Sequence, residues 1–196
     1  MDKEAQKRLA DDFVEVLRTT NRDGIEELIR YLQEETDFFT APASAKYHGA
    51  FESGLLMHSI NVCAELNLDP NSKVYPNETL ISVALQHDIC KANIYRTEKR
   101  NDKENGGWVE KQVYVFEDEL PLGHGEKSLY IASKFIKLSD EEAAAIRWHM
   151  GAFDNAFRGG DRGLNAAYEK YPLAVLLHMA DMRATYLVER GDDHDR

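Results

Sequence analysis

One stretch of the sequence decides how the rest is interpreted: Val83-Ala-Leu-Gln-His87-Asp88-Ile-Cys-Lys91. Its apolar residues predict a buried helix, and yet it places a histidine beside an aspartate. Burying an imidazole or a carboxylate without a partner costs several kcal/mol on transfer scales. Successive helical positions point about 100° apart, so both side chains reach one ligand only at a helix edge or a distorted helix end. The pair is therefore unusual for a core and typical of a metal site.

Two other apolar segments each contain one residue of the same kind. His58 lies in Leu55-Leu-Met-His-Ser-Ile-Asn-Val62, and Asp181 ends Leu176-Leu-His-Met-Ala-Asp181. A single histidine in an apolar helix is more often a hydrogen-bonded core residue than a ligand. Four such groups together favour a divalent cation, and mixed histidine and carboxylate ligands suit Mn, Fe, Co, Ni or Zn.

The periodicity of the remaining sequence predicts an all-α fold class, mostly helical, with one inserted β-hairpin. Strands at 95–100 and 108–116 flank Asn105-Gly-Gly107 and place the hairpin at about 93–117. Residues 1–40 predict an N-terminal helical segment that packs on a domain of residues 41–196 or forms the contact of a homodimer. Helices are predicted at 4–18, about 51–67, about 78–91, about 125–137, 143–150, and from 165 or 172 to 189. A further helix follows Asp23, which is its predicted cap, and a capping box at Ser139–Glu142 precedes the helix at 143–150.

Charge and composition limit the classes of partner. The 196-residue chain has 24 basic and 35 acidic residues, a net charge of −11. This argues against long nucleic acid as the main partner, because that requires a basic surface. Residues 1–40 and 189–196 account for seven of the eleven negative units, so a small anionic substrate fits the rest. We find neither a secretory signal nor an apolar run of membrane-spanning length, and expect a soluble, cytoplasmic protein without a membrane partner.

The order of these residues resembles the HD-domain metal-dependent phosphohydrolase superfamily. The matching motifs are Gly54-Leu-Leu-Met-His58-Ser59, then His87-Asp88-Ile-Cys-Lys91, then Ala180-Asp181. The resemblance covers about residues 44–188 and implies a helical HD-domain bundle. It implies metal binding by His58, His87, Asp88 and Asp181. Cys90 stands where the family usually has glycine, which puts close approach of a substrate there in doubt.

Two further histidines match the family members with a larger site. His124 lies in Leu122-Gly-His-Gly-Glu-Lys-Ser128, and His149 lies in Ile146-Arg-Trp-His-Met-Gly151. The resemblance then implies two metal ions bridged by Asp88, whereas in members with one metal the middle histidines contact the substrate phosphate. The expected cofactor is therefore one or two divalent ions, Mn, Fe, Ni, Co or Zn, with Mg also compatible.

Catalytic and substrate-binding roles follow for other residues. Asp88 would hold metal and help to deprotonate a water molecule, and Lys91, one helical turn after His87, would neutralise charge on the phosphoryl group. His48 either orients substrate or caps a helix. The remaining candidates for binding phosphate, each of which has the alternative of being an ordinary surface group, are Lys127, Arg147 and Arg158.

The leading functional hypothesis is a hydrolase of phosphomonoester or phosphodiester bonds in nucleotides or related small phosphorylated molecules, with short RNA also a candidate substrate. One alternative is an HD-fold di-iron oxygenase, because the same ligand order can hold iron for oxidative cleavage and a fold does not fix the chemistry. The other is a non-catalytic module that binds a nucleotide or another effector. Metal content, oxygen dependence and turnover separate the three.

Overall fold

The computed structural model describes residues 2–104 and 107–189, which are mostly helical with one two-stranded antiparallel hairpin, as the sequence predicts. The α-helices are α1 (Lys3–Arg18), α2 (Ile25–Glu34), α3 (Gly54–Leu68), α4 (Asn77–Gln86), α5 (His124–Ser133), α6 (Asp140–Trp148), α7 (Asn155–Arg158), α8 (Gly163–Lys170) and α9 (Pro172–Arg183). Short 3₁₀ turns follow three of them at Pro70–Val74, Ile89–Lys91 and Gly151–Phe153, and a π-helical turn at Ala184–Val188 follows α9.

The centre of the molecule is built from α3, α4, α6 and α9. Helix α3 packs against both α4 and α9, and α6 packs against α9 and α5. Both α3 and α9 are apolar around most of their circumference, which is typical of helices buried among others. Polar side chains that point inward from these helices are therefore enclosed, and this positions the site described below.

The first two helices contribute to the same core. Phe13 and Leu17 of α1 and Leu28 and Leu32 of α2 are at most 1% exposed, and they belong to one cluster of buried apolar residues with α3, α4, α6 and α9. Asp2 caps α1 by accepting a hydrogen bond from the Ala5 backbone N–H at 2.7 Å. The N-terminal helices thus bury their apolar stripe against the rest of the chain.

The hairpin consists of β1 (Tyr95–Glu104) and β2 (Gly107–Phe116) and starts directly after the 3₁₀ turn that ends at Lys91. Tyr95 pairs with Phe116, and the register continues to Glu104 opposite Gly107. Both strands are therefore longer than predicted. The predicted turn residues Asn105 and Gly106 lie outside the described residues, and Gly107 is already part of β2.

Two predicted helix ends are wrong, and so is the predicted Asp23 cap, because α2 begins after Gly24 without a side-chain cap. The helix predicted over about 78–91 ends at Gln86, because His87 and Asp88 leave the helical path. The helix predicted over about 125–137 ends at Ser133. The last helix begins at Pro172, one of the two predicted starts, after an extended Tyr171 (ψ 90°), and Gly163–Lys170 form the separate helix α8. The capping box is confirmed: Ser139 and Glu142 exchange side-chain and backbone hydrogen bonds at the start of α6.

No helix in the described part of the chain combines the length and the apolar character needed to cross a membrane.

Candidate metal centre

His58 lies on α3 and is 1% exposed. Its Nδ1 lies 3.0 Å from one carboxylate oxygen of Glu189, just after the π-helical turn. Its Nε2 points the opposite way, 3.3 Å from Asp181 Oδ1 and 3.5 Å from Asp88 Oδ2. Asp181 is on α9, so two packed helices bring this imidazole and this carboxylate together.

His87 and Asp88 lie where α4 ends. The Nδ1–H of His87 donates to the carbonyl oxygen of Ala84 at 2.7 Å, which leaves Nε2 free of a proton and 3.3 Å from His58 Nε2. Asp88 has a non-helical backbone (φ −115°, ψ 16°), and its Oδ2 lies 3.5 Å from His87 Nε2. The adjacent side chains therefore both point toward His58 Nε2 at a distorted helix end. This is the arrangement that two adjacent residues need in order to bind one metal ion.

His149 repeats the arrangement of His87 at the end of α6. Its Nδ1–H donates to the carbonyl oxygen of Ile146 at 2.7 Å, and its Nε2 lies 3.3 Å from Asp88 Oδ1. The His149 carbonyl accepts a 2.6 Å hydrogen bond from His178 on α9. The ring is fully buried, so its orientation is fixed from both sides.

His124 is the first residue of α5, and its Nε2 lies 2.7 Å from Asp88 Oδ1. The next residue explains how α5 comes this close to α6. A Cβ atom at Gly125 would lie 2.1 Å from the carbonyl oxygen of Arg147, so only glycine allows the two helix ends to meet. The His124 side chain is 29% exposed, more than any other member of the cluster.

Asp88 divides the cluster into two donor groups that share its carboxylate. The first donor group is His58, His87, Asp181 and Asp88 Oδ2, and the second donor group is His124, His149 and Asp88 Oδ1. In the first donor group the donor atoms of His58, His87 and Asp88 lie within 4.8 Å of one another, and at the second the same holds for Asp88, His124 and the neighbouring Cys90. His149 also lies within this distance of His87 and Asp181, so the two groups are contiguous.

The donor chemistry fits a cation. The contacts of their Nδ1 atoms with backbone carbonyl oxygens direct the Nε2 atoms of His87 and His149 toward the Asp88 carboxylate. A nitrogen lone pair that faces a carboxylate is repelled unless a positive charge lies between them. His149 Nε2 is buried and has no hydrogen-bond partner among the described residues. Divalent transition-metal sites are typically built from imidazole and carboxylate ligands. In such sites the second ring nitrogen of each histidine usually donates to a backbone carbonyl or a carboxylate.

Lys91 contributes a buried positive charge at the same place. Its Nζ lies 2.6 Å from Asp88 Oδ2, and its side chain is 11% exposed. The predicted position one helical turn after His87 is wrong, because Lys91 lies on the 3₁₀ turn Ile89–Lys91 beyond α4. Burial opposes ionisation of Asp88, but Lys91 and the facing histidines outweigh it and hold the pKa of this carboxyl well below its usual range.

The histidines of the cluster differ in protonation in the absence of metal. Burial lowers the pKa of His58, but hydrogen bonds to Asp181 and Glu189 outweigh it and raise the pKa to about 9. Burial also lowers the pKa of His124, but the adjacent Cys90 and Asp88 outweigh it and raise the pKa to about 10. Burial lowers the pKa of His87 to about 4. Protons thus occupy part of the cluster where a metal ion would otherwise bind.

Of the four residues predicted to bind substrate, the structure brings His48 to the cluster. Its ring centroid lies 5.0 Å from that of His58, at an interplanar angle of 45°. Its Nε2 is buried and has no hydrogen-bond partner among the described residues. Burial lowers the pKa of His48 to about 4, so the ring is neutral near pH 7 and can donate one hydrogen bond and accept another.

The other three predicted residues have different surroundings. Lys127 is buried and pairs with Asp118 at 2.5 Å. Arg147 pairs with Glu126 and with Asp154, and its guanidinium lies 3.8 Å from the centre of the Trp148 ring. The exposed Arg158 lies 5.8 Å from the Phe153 ring centroid. Acidic or aromatic partners therefore surround these three cations.

The sequence did not identify Glu189 as part of the site. Its carboxylate accepts hydrogen bonds from His58 and, at 3.0 Å, from Asn61 Nδ2. Nothing in the sequence marks it, because it begins an acidic run and lies 131 positions from its histidine partner. Asn61 offered the only signal, a polar residue one turn after His58 on an apolar helix.

No known family model matches this chain, and neither a curated protein nor a solved structure matches it. The buried cluster of histidine, aspartate and cysteine side chains is compatible with an HD-type metal site.

Proposed function

We propose that this protein is a metal-dependent phosphohydrolase of the HD superfamily, acting on phosphomonoester or phosphodiester bonds of nucleotides or related small phosphorylated molecules. The observation that supports this most is the environment of Asp88. This carboxylate is 2% exposed, and its two oxygens face different histidine groups while Lys91 lies 2.6 Å from one of them. A buried bridging carboxylate beside an ammonium group suits the hydrolysis of an anionic substrate.

The two donor groups provide ligands for two divalent ions. His58, His87 and Asp181 would hold one ion and His124 and His149 the other, and both groups would share the Asp88 carboxylate. Divalent ions bound there supply Lewis acidity toward a phosphoryl oxygen and lower the pKa of a water molecule. The fixed Nδ1–H to carbonyl hydrogen bonds of His87 and His149 keep their Nε2 atoms in the ligating form.

The charge balance favours an anionic ligand. With two divalent ions bound, the positive charge of the metals and Lys91 exceeds the negative charge of Asp88, Asp181 and Glu189. Lys91 is buried with its Nζ 2.6 Å from Asp88 Oδ2, so its ammonium group lies at the metal cluster, where it can neutralise a phosphoryl oxygen. The net charge of −11 for the whole chain therefore does not oppose a phosphate substrate.

His48 and Lys91 are the substrate contacts in this proposal. The neutral His48 ring donates a hydrogen bond from the nitrogen that has no partner among the described residues, at the edge of the first donor group. Lys127 and Arg147 are engaged by acidic side chains, and binding phosphate would require exchange of these partners. Lys127 and Arg147 are therefore not among the substrate contacts proposed for this site.

The test is a screen for metal-dependent hydrolysis. The metal-stripped chain is supplied with Mn²⁺, Fe²⁺, Co²⁺, Ni²⁺, Zn²⁺ or Mg²⁺ and tested on phosphomonoesters, cyclic nucleotides and short RNA, in air and under argon. We expect phosphate ester hydrolysis that needs added metal and is equal in both atmospheres. Asp88→Asn should abolish it, and Asp11→Asn, a change at an exposed aspartate of α1, should leave it intact.

Other results would identify the alternatives. An activity that requires oxygen and iron would replace hydrolysis by the di-iron oxygenase chemistry. Binding of nucleotides with no turnover under any metal would indicate the non-catalytic module. Retention of both metal and hydrolysis by Asp88→Asn would show that the reaction takes place elsewhere.

A further inference from the structure

Cys90 lies beside the second donor group, and the site proposed above makes no use of it. The residue is 2% exposed, and its Sγ lies 3.6 Å and 3.7 Å from the two ring nitrogens of His124. The donor atoms of Asp88, Cys90 and His124 lie within 4.8 Å of one another. Its backbone N–H donates to Ser128 Oγ at 3.2 Å, which fixes the 3₁₀ turn against α5.

Two distances in this group match those between ligands of one tetrahedral ion, whereas His124 Nε2 and Asp88 Oδ1, which lie 2.7 Å apart without metal, must separate when an ion binds. Bonds of about 2.3 Å to sulfur and about 2.0 Å to nitrogen place two such ligand atoms about 3.5 Å apart. Cys90 Sγ lies 3.7 Å from His124 Nε2, the ring nitrogen that faces Asp88, and His149 Nε2 lies 3.3 Å from Asp88 Oδ1. One sulfur, two nitrogens and one oxygen complete four ligands.

His149 provides an independent indication that an ion binds here. Its Nε2 is buried and without a hydrogen-bond partner in the described part of the chain, and it lies 3.3 Å from Asp88 Oδ1. A hydrogen bond between Cys90 and His124 alone would leave this nitrogen facing a carboxylate. A cation between them satisfies all four atoms.

We propose that Cys90 is a ligand of the second metal ion, so that this ion is bound by one thiolate, two imidazoles and the shared carboxylate of Asp88. The inference rests on the proposed function, because it assumes that the two donor groups hold metal. On binding, the thiol releases its proton to solvent and the sulfur donates an electron pair to the ion. A thiolate favours Zn²⁺ or Co²⁺ over Mg²⁺ and Mn²⁺, so the second donor group selects a softer metal than carboxylate and imidazole alone.

Cobalt binding tests the inference by a readout that does not depend on activity. The metal-free full chain is titrated with Co²⁺ while its absorption spectrum is recorded. We expect a near-ultraviolet band from thiolate-to-cobalt charge transfer, corresponding to one sulfur ligand per chain. Cys90→Ala should remove the band and weaken one of the two bound ions at least tenfold. The matched variant Cys63→Ala, which removes the buried thiol of α3, should retain both.

The outcomes separate this inference from the proposed function. A chain that binds cobalt without the band, or a band that persists in Cys90→Ala, overturns the role of Cys90 and leaves the metal site standing. A chain that binds no divalent ion overturns both proposals. If Cys90→Ala does not fold, X-ray absorption of the zinc-loaded wild-type chain decides, because a sulfur scatterer at about 2.3 Å supports the inference and its absence refutes it.

Discussion

The two donor groups around Asp88 are held by different parts of the fold. In the first donor group, His58 and Asp181 project from the middle of α3 and from α9, and His58 is 1% exposed. In the second donor group, His124 begins α5 and His149 follows the end of α6, and the His124 side chain is 29% exposed. The first group thus combines two residues from packed helices with His87 at the end of α4, whereas both histidines of the second group lie at helix ends.

This difference has a physical consequence for what each group can do. The outward nitrogen of His58 is fixed by the Glu189 carboxylate, and the Asp181 carboxylate is 3.4 Å from the Thr185 hydroxyl. The second donor group has the buried nitrogen without a partner and the more exposed imidazole. We infer that the first donor group is preorganised for tight binding, while the second has the more solvent-exposed imidazole.

The largest expected effect comes from removing one ligand of each group. His58→Gln should eliminate the first ion and reduce hydrolysis by about a thousandfold or more, since losing several kcal/mol of transition-state stabilisation corresponds to that factor. His124→Gln should lower the metal content from two ions to one and leave the first in place. Metal analysis by mass spectrometry and kcat/KM for the best substrate measure both effects. Equal loss of metal from both variants would mean that the groups do not bind independently.

The pH dependence of stability is the next largest effect. In the metal-free protein, the carboxylates raise the pKa of His58 to about 9, and Cys90 and Asp88 raise that of His124 to about 10, although burial opposes both shifts. The unfolded chain releases the same protons near pH 6.5. The stabilisation is therefore complete below pH 6.5 and is lost as the pH rises toward the folded pKa values.

We expect the free energy of unfolding of the metal-free chain to fall by a few kcal/mol between pH 6.5 and 9. Metal displaces these protons, so the zinc-loaded chain should show a much smaller decline. Urea unfolding at several pH values measures this, and His124→Gln should remove the contribution of the second group. A metal-free chain whose stability does not change over this range would contradict the assigned protonation.

The sequence allowed much of the site to be predicted, because burial makes polar residues in apolar segments conspicuous. His58, the His87–Asp88 pair and Asp181 were identified in this way, and the structure brings them together. The surroundings of Lys127 and Arg147 could not be predicted. Their acidic partners Asp118, Glu126 and Asp154 lie seven to 21 positions away, and no periodic pattern indicates which cation pairs with which acid.

The errors in the fold share a cause. Apolar periodicity continues past Gln86 through Ile89 and Cys90, so the sequence predicted a helix to residue 91. The chain instead leaves the helix where His87 and Asp88 meet the other ligands. Tertiary contacts of the site thus overrode the local helical preference.

The junction between α5 and α6 allows the second group to be disturbed alone. Gly125→Ala places a Cβ about 2.1 Å from the Arg147 carbonyl oxygen, so the ends of α5 and α6 must separate. We expect a loss of about 1–3 kcal/mol in the free energy of unfolding and loss of the second ion with retention of the first. Gly159→Ala is the matched control, since its nearest neighbours lie 3.3 Å away and its φ is −76°. Loss of the first ion in Gly125→Ala would show that the first group depends on this junction.

Glu189→Gln should give the smallest effect, and on the first group alone. The amide oxygen of glutamine still accepts a hydrogen bond from His58 Nδ1–H, but the negative charge that strengthens the imidazole as a ligand is lost. Outer-sphere changes of this kind cost about ten- to a hundredfold in metal affinity, and we expect the lower value because the acceptor is kept. Glu34→Gln, at an exposed position of α2, is the control. Calorimetric titration should resolve a weakened first ion and an unchanged second, whereas equal weakening of both would mean that Glu189 acts through the overall charge and not through His58.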